Sequence, residues 1–179
     1  MSVALPLYHP SQWAMLTTDI VAWGLIHAGT GYVAHRLPLS FCERETWLTR
    51  PRWFERSGRL WRVLRVHQWK DRLPEAGDAF RGGVSKRHLP SRDDDGLLAF
   101  AAMTRRAEMG HWMAAAASPV FVLWNPPWIA IVMLAYGFGV NAPFIAIQRY
   151  NRLRVDAVMG RRVAARSRNL RGTSGSSIP

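Results

Sequence analysis

The apolar residues of this chain gather into two long blocks, separated by a polar and basic stretch. The first block, residues 13–35, has the length of a helix that crosses a hydrocarbon layer about 30 Å thick. It contains Asp19 and His27, which should face protein or water because lipid cannot solvate them. We predict a transmembrane helix over residues 13–35.

The second block, residues 111–147, lacks Asp, Glu, Lys and Arg and is interrupted at Asn125-Pro126-Pro127. Because proline removes an N–H donor and crowds the preceding turn, the pattern predicts a membrane hairpin that turns here. The first arm, residues 111–124, amounts to only about 21 Å of helix. That arm is either re-entrant or a full span whose first turns include part of the stretch 104–112.

Cationic and apolar side chains are interleaved over residues 52–70, between the two blocks. We predict one amphipathic helix in the membrane interface, because arginine can bury its stem and still reach phosphates. An amphipathic helix on the core of a soluble protein is the alternative. The apolar side would comprise Trp53, Phe54, Leu60, Trp61, Leu64 and Trp69, and the cationic side Arg56, Arg59, Arg62 and Arg65.

These patterns predict a single-domain, all-α integral membrane protein. We expect about three membrane-embedded helices, with additional amphipathic helices in the interface. The predicted segments are a transmembrane helix at 13–35, a cytoplasmic and interfacial helical region at 52–112, a membrane hairpin at 111–147 and a basic C-terminal tail at 148–179.

The formal net charge of +12 is unevenly distributed. Residues 1–35 contain no Lys or Arg, whereas residues 36–110 contain 16 and residues 149–171 contain eight arginines. Because basic segments stay on the cytoplasmic side, we predict a multi-pass protein of the cell membrane with its N-terminus outside. Several of the nine tryptophans lie at the block edges, as is typical of the membrane–water interface. We expect membrane lipids as partners and no nucleic acid, whose usual motifs are missing.

Several kinds of chemistry find no support in the sequence. The six histidines are dispersed, and Cys42 is the single cysteine, so we expect no metal site. No P-loop, GxGxxG or GxSxG motif occurs, which argues against nucleotide-phosphate transfer and a hydrolase-type nucleophile. We expect no bound cofactor.

The stretch TRRAEMGHW, residues 104–112, places charged groups directly before the second apolar block. On a helix, Arg105, Glu108 and His111 would follow one another at i, i+3 and i+6 and form one polar stripe. Two interpretations are open. Arg105 and Glu108 form an ordinary surface pair, or Glu108 orients His111 for proton transfer.

Further polar groups lie at other predicted helix ends. Lys70 either belongs to a charged helix end or meets a phosphate or an oxyanion. Asn141 lies inside an apolar run and needs a hydrogen-bond partner there. The remaining candidates are Arg87 and His88 in the basic stretch SKRHL, and Gln148, Arg149, Asn151 and Arg152 beyond the second block.

Five motifs, in this order and over roughly residues 55–155, resemble the glycosyl-4,4'-diaponeurosporenoate acyltransferase family. The last two are the most specific. The chain departs from the family pattern at Met103, where the family often has an acid, so a role for that acid does not transfer. The motifs read Gly58-Arg59-Leu60-Trp61, Trp69-Lys70, Arg87-His88-Leu89, TRRAEMGHW at 104–112 and NAPFIAIQRYNR at 141–152.

The resemblance implies a membrane acyltransferase that esterifies a sugar hydroxyl of a glycosylated carotenoid or related glycolipid with a fatty acyl group. An acyl-CoA or acyl-carrier-protein thioester would be the co-substrate, and the glycolipid the acceptor. His111 and Glu108 become the candidate catalytic pair. The predicted substrate-binding residues are Lys70, Arg87, His88, Arg105, Arg106, Asn141, Gln148, Arg149, Asn151 and Arg152.

We predict direct transfer, in which His111, oriented by Glu108, deprotonates a sugar hydroxyl that attacks the acyl carbonyl. No covalent acyl-enzyme is expected, because Cys42 lies outside the matched region and no serine has an evident base. The alternative is a non-catalytic membrane module that binds an anionic glycolipid or anchors a partner enzyme through its arginines.

Overall fold

The computed structural model describes residues 6–7, 10–73, 91 and 93–174, and the regular structure within them is helical throughout. This confirms the predicted all-α class. The helices are α1 (Gln12–Arg36), α2 (Leu39–Cys42), α3 (Trp53–Arg56), α4 (Arg59–Val63), α5 (Val66–Trp69), α6 (Asp94–Ala117) and α7 (Pro127–Ser174), with 3₁₀ turns at Lys70–Arg72 after α5 and Ser118–Leu123 after α6.

Helix α1 matches the first apolar block to within one residue at each end. It begins after Ser11, whose hydroxyl accepts a hydrogen bond from the Ala14 N–H and so satisfies a free donor of the first turn. Asp19 is buried and accepts hydrogen bonds from Trp124 Nε1 and Asn125 Nδ2, both at 2.8 Å. Asp19 therefore faces protein, as predicted, and fastens α1 to the turn between α6 and α7.

The chain turns after Trp124 as predicted, but both arms extend beyond the predicted hairpin at 111–147. Helix α6 begins at Asp94, so the stretch 104–112 lies well inside it. Helix α7 continues to Ser174, so most of the predicted tail prolongs the second arm. The changes of polarity near residues 111 and 148 therefore lie inside continuous helices, and the membrane bounds of the hairpin stay a prediction.

The predicted interfacial helix at 52–70 is wrong as one continuous element, because α3, α4 and α5 divide that segment. Gly58 (φ 69°) precedes α4, and Arg65 (φ 50°) precedes α5. A residue in the left-handed region cannot continue a right-handed helix, so each of the two reorients the chain. The amphipathic pattern is retained in part, since Trp53 is 85% exposed whereas Trp61 is buried.

Helices α6 and α7 pack together at both ends, and α1 joins them near the turn. Near the turn, Trp23 of α1 stacks on Phe121 with 4.7 Å between ring centroids. At the other end, Leu97 and Phe100 of α6 pack with Val155 of α7. The seam between α6 and α7 therefore runs through the centre of the protein, and α1 covers the part nearest the turn.

Large apolar side chains remain exposed on the outer sides of α1 and α7. Helix α7 is the one helix in the described residues that is long and apolar enough to cross a membrane. The predicted total of three membrane-embedded helices stays a prediction. The exposed side chains include Trp13, Ile20, Val21 and Leu25 of α1 and Trp128, Ile131, Val132 and Phe138 of α7.

Candidate functional site

His111 of α6 and Asn141 of α7 face each other across the helix seam. The imidazole Nδ1 lies 3.0 Å from Asn141 Oδ1. The ring also stacks on Phe144, with 4.8 Å between centroids and 12° between planes. Because Asn141 and Phe144 are three residues apart in α7, one side of that helix supplies both contacts. The hydrogen bond to Asn141 and the stacking on Phe144 together fix the position of the imidazole.

The Asn141 amide determines which imidazole nitrogen carries the proton. Its Nδ2 donates to the Gly137 carbonyl at 2.8 Å, so its Oδ1 is directed at His111. The reverse orientation of the amide would place two carbonyl oxygens at that 2.8 Å separation. Since Oδ1 can only accept, the neutral imidazole donates from Nδ1 and keeps its lone pair on Nε2. Nε2 is thereby equipped to accept a proton.

A buried ion network surrounds Glu108, one turn earlier in α6. The Glu108 side chain is fully buried. Its Oε1 accepts from Arg149 Nε at 2.7 Å and from Trp112 Nε1 at 3.1 Å. Its Oε2 accepts from Arg152 Nη2. Both carboxylate oxygens are therefore engaged by protein donors.

The network continues into α3 and the segment that precedes it. Arg149 Nη1 donates to the two carboxylate oxygens of Glu55 at 2.8 and 3.0 Å, and Arg149 Nη2 to the Leu48 carbonyl at 2.7 Å. Arg152 Nη2 also donates to the Thr49 carbonyl at 3.0 Å. The negative charges of two carboxylates equal the positive charges of two guanidinium groups, and a buried charge needs such a partner because removing it from water is costly. The network joins α3, α6 and α7.

Asn141 Oδ1 lies at hydrogen-bond distance from the imidazole Nδ1, while Glu108 accepts from Trp112 and from two arginines of α7. The orientation of His111 by Glu108 stays a prediction. The alternative surface pair of Arg105 with Glu108 is corrected, because Glu108 is fully buried. Arg105 Nη1 donates instead to the Cys42 and Glu43 carbonyls. The catalytic roles of His111 and Glu108 stay predictions.

The other predicted substrate-binding residues are dispersed. Arg149 and Arg152 are 8% and 1% exposed, and their ion pairs with carboxylates leave them poorly placed as surface donors. Lys70 pairs with its neighbour Asp71 at 2.6 Å. Gln148 is buried, and its Oε1 has no hydrogen-bond partner within the described ranges.

Arg106 and Asn151 are half-buried. Arg87 and His88 lie outside the described residues. Of the predicted residues, the structure thus brings together His111 with Asn141, and Glu108 with Arg149 and Arg152.

Phe144 and Glu55 of these clusters were not among the predicted site residues. Phe144 could have been found, because it lies three positions after Asn141 and so on the same side of α7. Glu55 gives no comparable signal, since it is one acid in an arginine-rich segment and meets Arg149 only through the tertiary fold. Long-range ion pairing has no sequence period.

Cys42 is buried, and burial raises the pKa of its thiol above the ordinary value. A protonated thiol is a weaker nucleophile than a thiolate. Within the described part of the chain, no group of His, Cys, Asp and Glu is arranged to hold a metal ion.

These features define a small helical protein with a candidate membrane helix, a fixed histidine and a buried ion network along one helix seam. The family model for glycosyl-4,4'-diaponeurosporenoate acyltransferase matches residues 44–161, which include both clusters. The chain belongs to this acyltransferase family, as its motifs indicated.

Two relatives show how far the similarity extends. The chain is 28% identical over 151 residues to the glycosyl-4,4'-diaponeurosporenoate acyltransferase of Staphylococcus haemolyticus (strain JCSC1435), covering 82% of this chain and 87% of that protein. It is 24% identical over 138 residues to the protein of the same name from Staphylococcus aureus (strain bovine RF122 / ET3-1), covering 76% and 83%. No solved structure matches the chain.

Proposed function

We propose that this protein transfers a fatty acyl group to a sugar hydroxyl of a glycosylated carotenoid or closely related glycolipid. The family and the names of its relatives support the acyl transfer and the class of acceptor. The observation that carries the chemistry is the hydrogen bond of His111 Nδ1 to Asn141, because it favours the tautomer whose lone pair, and therefore whose basicity, is on Nε2.

The acyl group passes directly from the donor to the sugar hydroxyl, in a single substitution at the acyl carbonyl. His111 Nε2 takes the proton of the sugar hydroxyl as the oxygen attacks the carbonyl carbon of an acyl thioester. The tetrahedral intermediate collapses, the carbon–sulfur bond breaks, and the thiolate receives the proton from the imidazolium. The products are a sugar ester and a free thiol, and no acyl group is attached to the protein.

The acyl donor in this proposal is an acyl-CoA or an acyl-carrier-protein thioester. With a thioester donor one general base is sufficient, because a thiolate is a good leaving group and departs without help from a metal. The donor is a co-substrate.

The protein acts in the cell membrane, with α1 and the hairpin of α6 and α7 embedded. The exposed apolar sides of α1 and α7 support this placement, because large exposed apolar patches belong at membranes or interfaces. The end of the protein near Glu55, Arg105 and Arg152 collects cationic side chains, whereas residues 10–35 and the turn at 118–127 contain no Lys or Arg. The positive-inside rule then puts the N-terminus outside and the histidine site toward the cytoplasmic half.

The test replaces His111 by Ala and assays ester formation in membranes that contain a glycosylated carotenoid and an acyl-CoA. Loss of the general base should lower turnover about 10²–10⁴-fold. His67→Ala is the matched control, because His67 is exposed on α5, and its turnover should equal that of the wild type. Membrane insertion and helix content are measured alongside.

Wild-type turnover by His111→Ala would reject the base assignment. Absence of ester with the wild-type protein, together with retained glycolipid binding, would favour the non-catalytic module instead.

A further inference from the structure

A shallow, open cationic depression, here called the basin, lies on α4 and at the start of α5, apart from the seam of α6 and α7. It has a volume of about 480 Å³ and is lined by Arg59, Arg62, Val63 and Arg65. All three arginines are exposed. No ion pair links any of them to another residue in the described ranges. Three like charges around one depression repel each other, and an anion bound between them would relieve that repulsion.

The backbone shapes this basin. Arg65 is the one non-glycine residue with positive φ in the described part of the chain. On a straight helix Arg59, Arg62 and Arg65 would form a convex stripe, since they are spaced at i, i+3 and i+6. The left-handed turn at Arg65 bends the chain, and the three side chains line one shallow, open depression instead. Strained backbone of this kind tends to occur at binding sites.

The surroundings of the basin favour a position at the headgroup level of the membrane. Trp53, Phe54, Val63 and Leu64 are 85%, 46%, 71% and 47% exposed. Exposed indole and aliphatic groups beside free arginines are typical of a surface that dips into the interface while its cations meet phosphates. The guanidinium fork also matches phosphate oxygens in pairs, which a lysine cannot do.

We propose that Arg59, Arg62 and Arg65 form a phosphate-binding site at the membrane surface. The ligand is a phosphate ester, either the headgroup of an anionic phospholipid or the phosphates of the acyl donor. The second source rests on the acyl transfer proposed above, whereas the first does not. Binding is read without turnover, so the phosphate site and the acyl transfer succeed or fail separately.

The first experiment measures coenzyme A binding to the full chain in phosphatidylcholine nanodiscs by calorimetry. The variants are Arg59→Gln, Arg62→Gln and Arg65→Asn, the last chosen because asparagine tolerates a left-handed backbone. If the site takes donor phosphates, each variant weakens binding about tenfold, the effect of losing one charge-assisted contact. The loss should shrink at high salt, since exposed charges are screened. Arg168→Gln, which removes an exposed arginine of α7 outside the basin, should bind like the wild type.

The second experiment compares the unfolding temperatures of the same proteins in nanodiscs with and without phosphatidylglycerol. If the site takes a lipid headgroup, phosphatidylglycerol stabilises the wild type and Arg168→Gln but not the three basin variants. A basin-specific loss in either experiment supports the proposal and identifies the source of the phosphate. Wild-type behaviour of the basin variants in both experiments, or equal losses in Arg168→Gln, would overturn it.

Discussion

The Nε atom of Arg149 in α7 donates to Oε1 of Glu108 in α6 at 2.7 Å, and the same guanidinium reaches both carboxylate oxygens of Glu55. One side chain thus joins three segments of the chain where water does not compete, since Glu108 and Glu55 are 0% and 3% exposed. Removing one partner of such a pair leaves an uncompensated buried charge. The helix seam on which His111 lies therefore depends on each member of this network being present.

Glu108→Gln should lower the free energy of unfolding by about 3–5 kcal/mol, because Arg149 and Arg152 lose their shared counter-charge. Thermal unfolding in detergent micelles measures the change. The control is Arg162→Gln, which removes a pair with Asp94 whose side chains are 36% and 28% exposed. That partly solvated pair should contribute at most about 1 kcal/mol. Equal stability of the two variants would contradict a structural role for Glu108.

The parts of the fold that the sequence predicted well are those with local signals. Helix α1 follows an uninterrupted apolar block, and the turn follows Asn125-Pro126-Pro127. The break at Arg65 was missed because a left-handed arginine has no sequence signature comparable to that of Gly58. The continuation of α7 through the basic tail was missed because a change of polarity resembles a helix end.

The contacts of the candidate site residues across the helices could not be predicted from the sequence. Spacing along α6 placed Glu108 and His111 on one stripe, which suggested that they contact each other. In the structure each turns to a different part of α7, because Asn141 lies opposite His111 while Arg149 and Arg152 lie opposite Glu108. The contacts between two helices depend on the register of α6 against α7. The periodicity of residues within one helix gives no information about that register.

Asn141→Ala should reduce kcat about 10²-fold with little change in KM, because the imidazole loses the acceptor that fixes its tautomer and position. Asn141→Asp keeps an oxygen acceptor for Nδ1–H and should recover part of that loss. The measurement is the kinetics of ester formation for both variants, with unfolding temperatures recorded in parallel.

A purely structural role for Asn141 predicts a different result. Both variants lose the hydrogen bond from Nδ2 to the Gly137 carbonyl, so their stabilities should fall together. If kcat follows stability and Asn141→Asp is no more active than Asn141→Ala, then Asn141 does not act through His111.

Gly137→Ala should destabilise the protein by about 1–3 kcal/mol, the usual cost of forcing an extra methyl group into a packed interior. A Cβ at Gly137 would lie 2.6 Å from Ser118 Cβ and 2.8 Å from the Trp23 ring, so α7 would have to move away from the turn and from α1. Gly139→Ala is the matched control, because a Cβ there meets nothing within 4 Å and alanine favours the helix. Unfolding temperatures in micelles should therefore fall for Gly137→Ala and hold or rise for Gly139→Ala. The same shift in both variants would mean that this close approach of three helical segments does not exist in the folded protein.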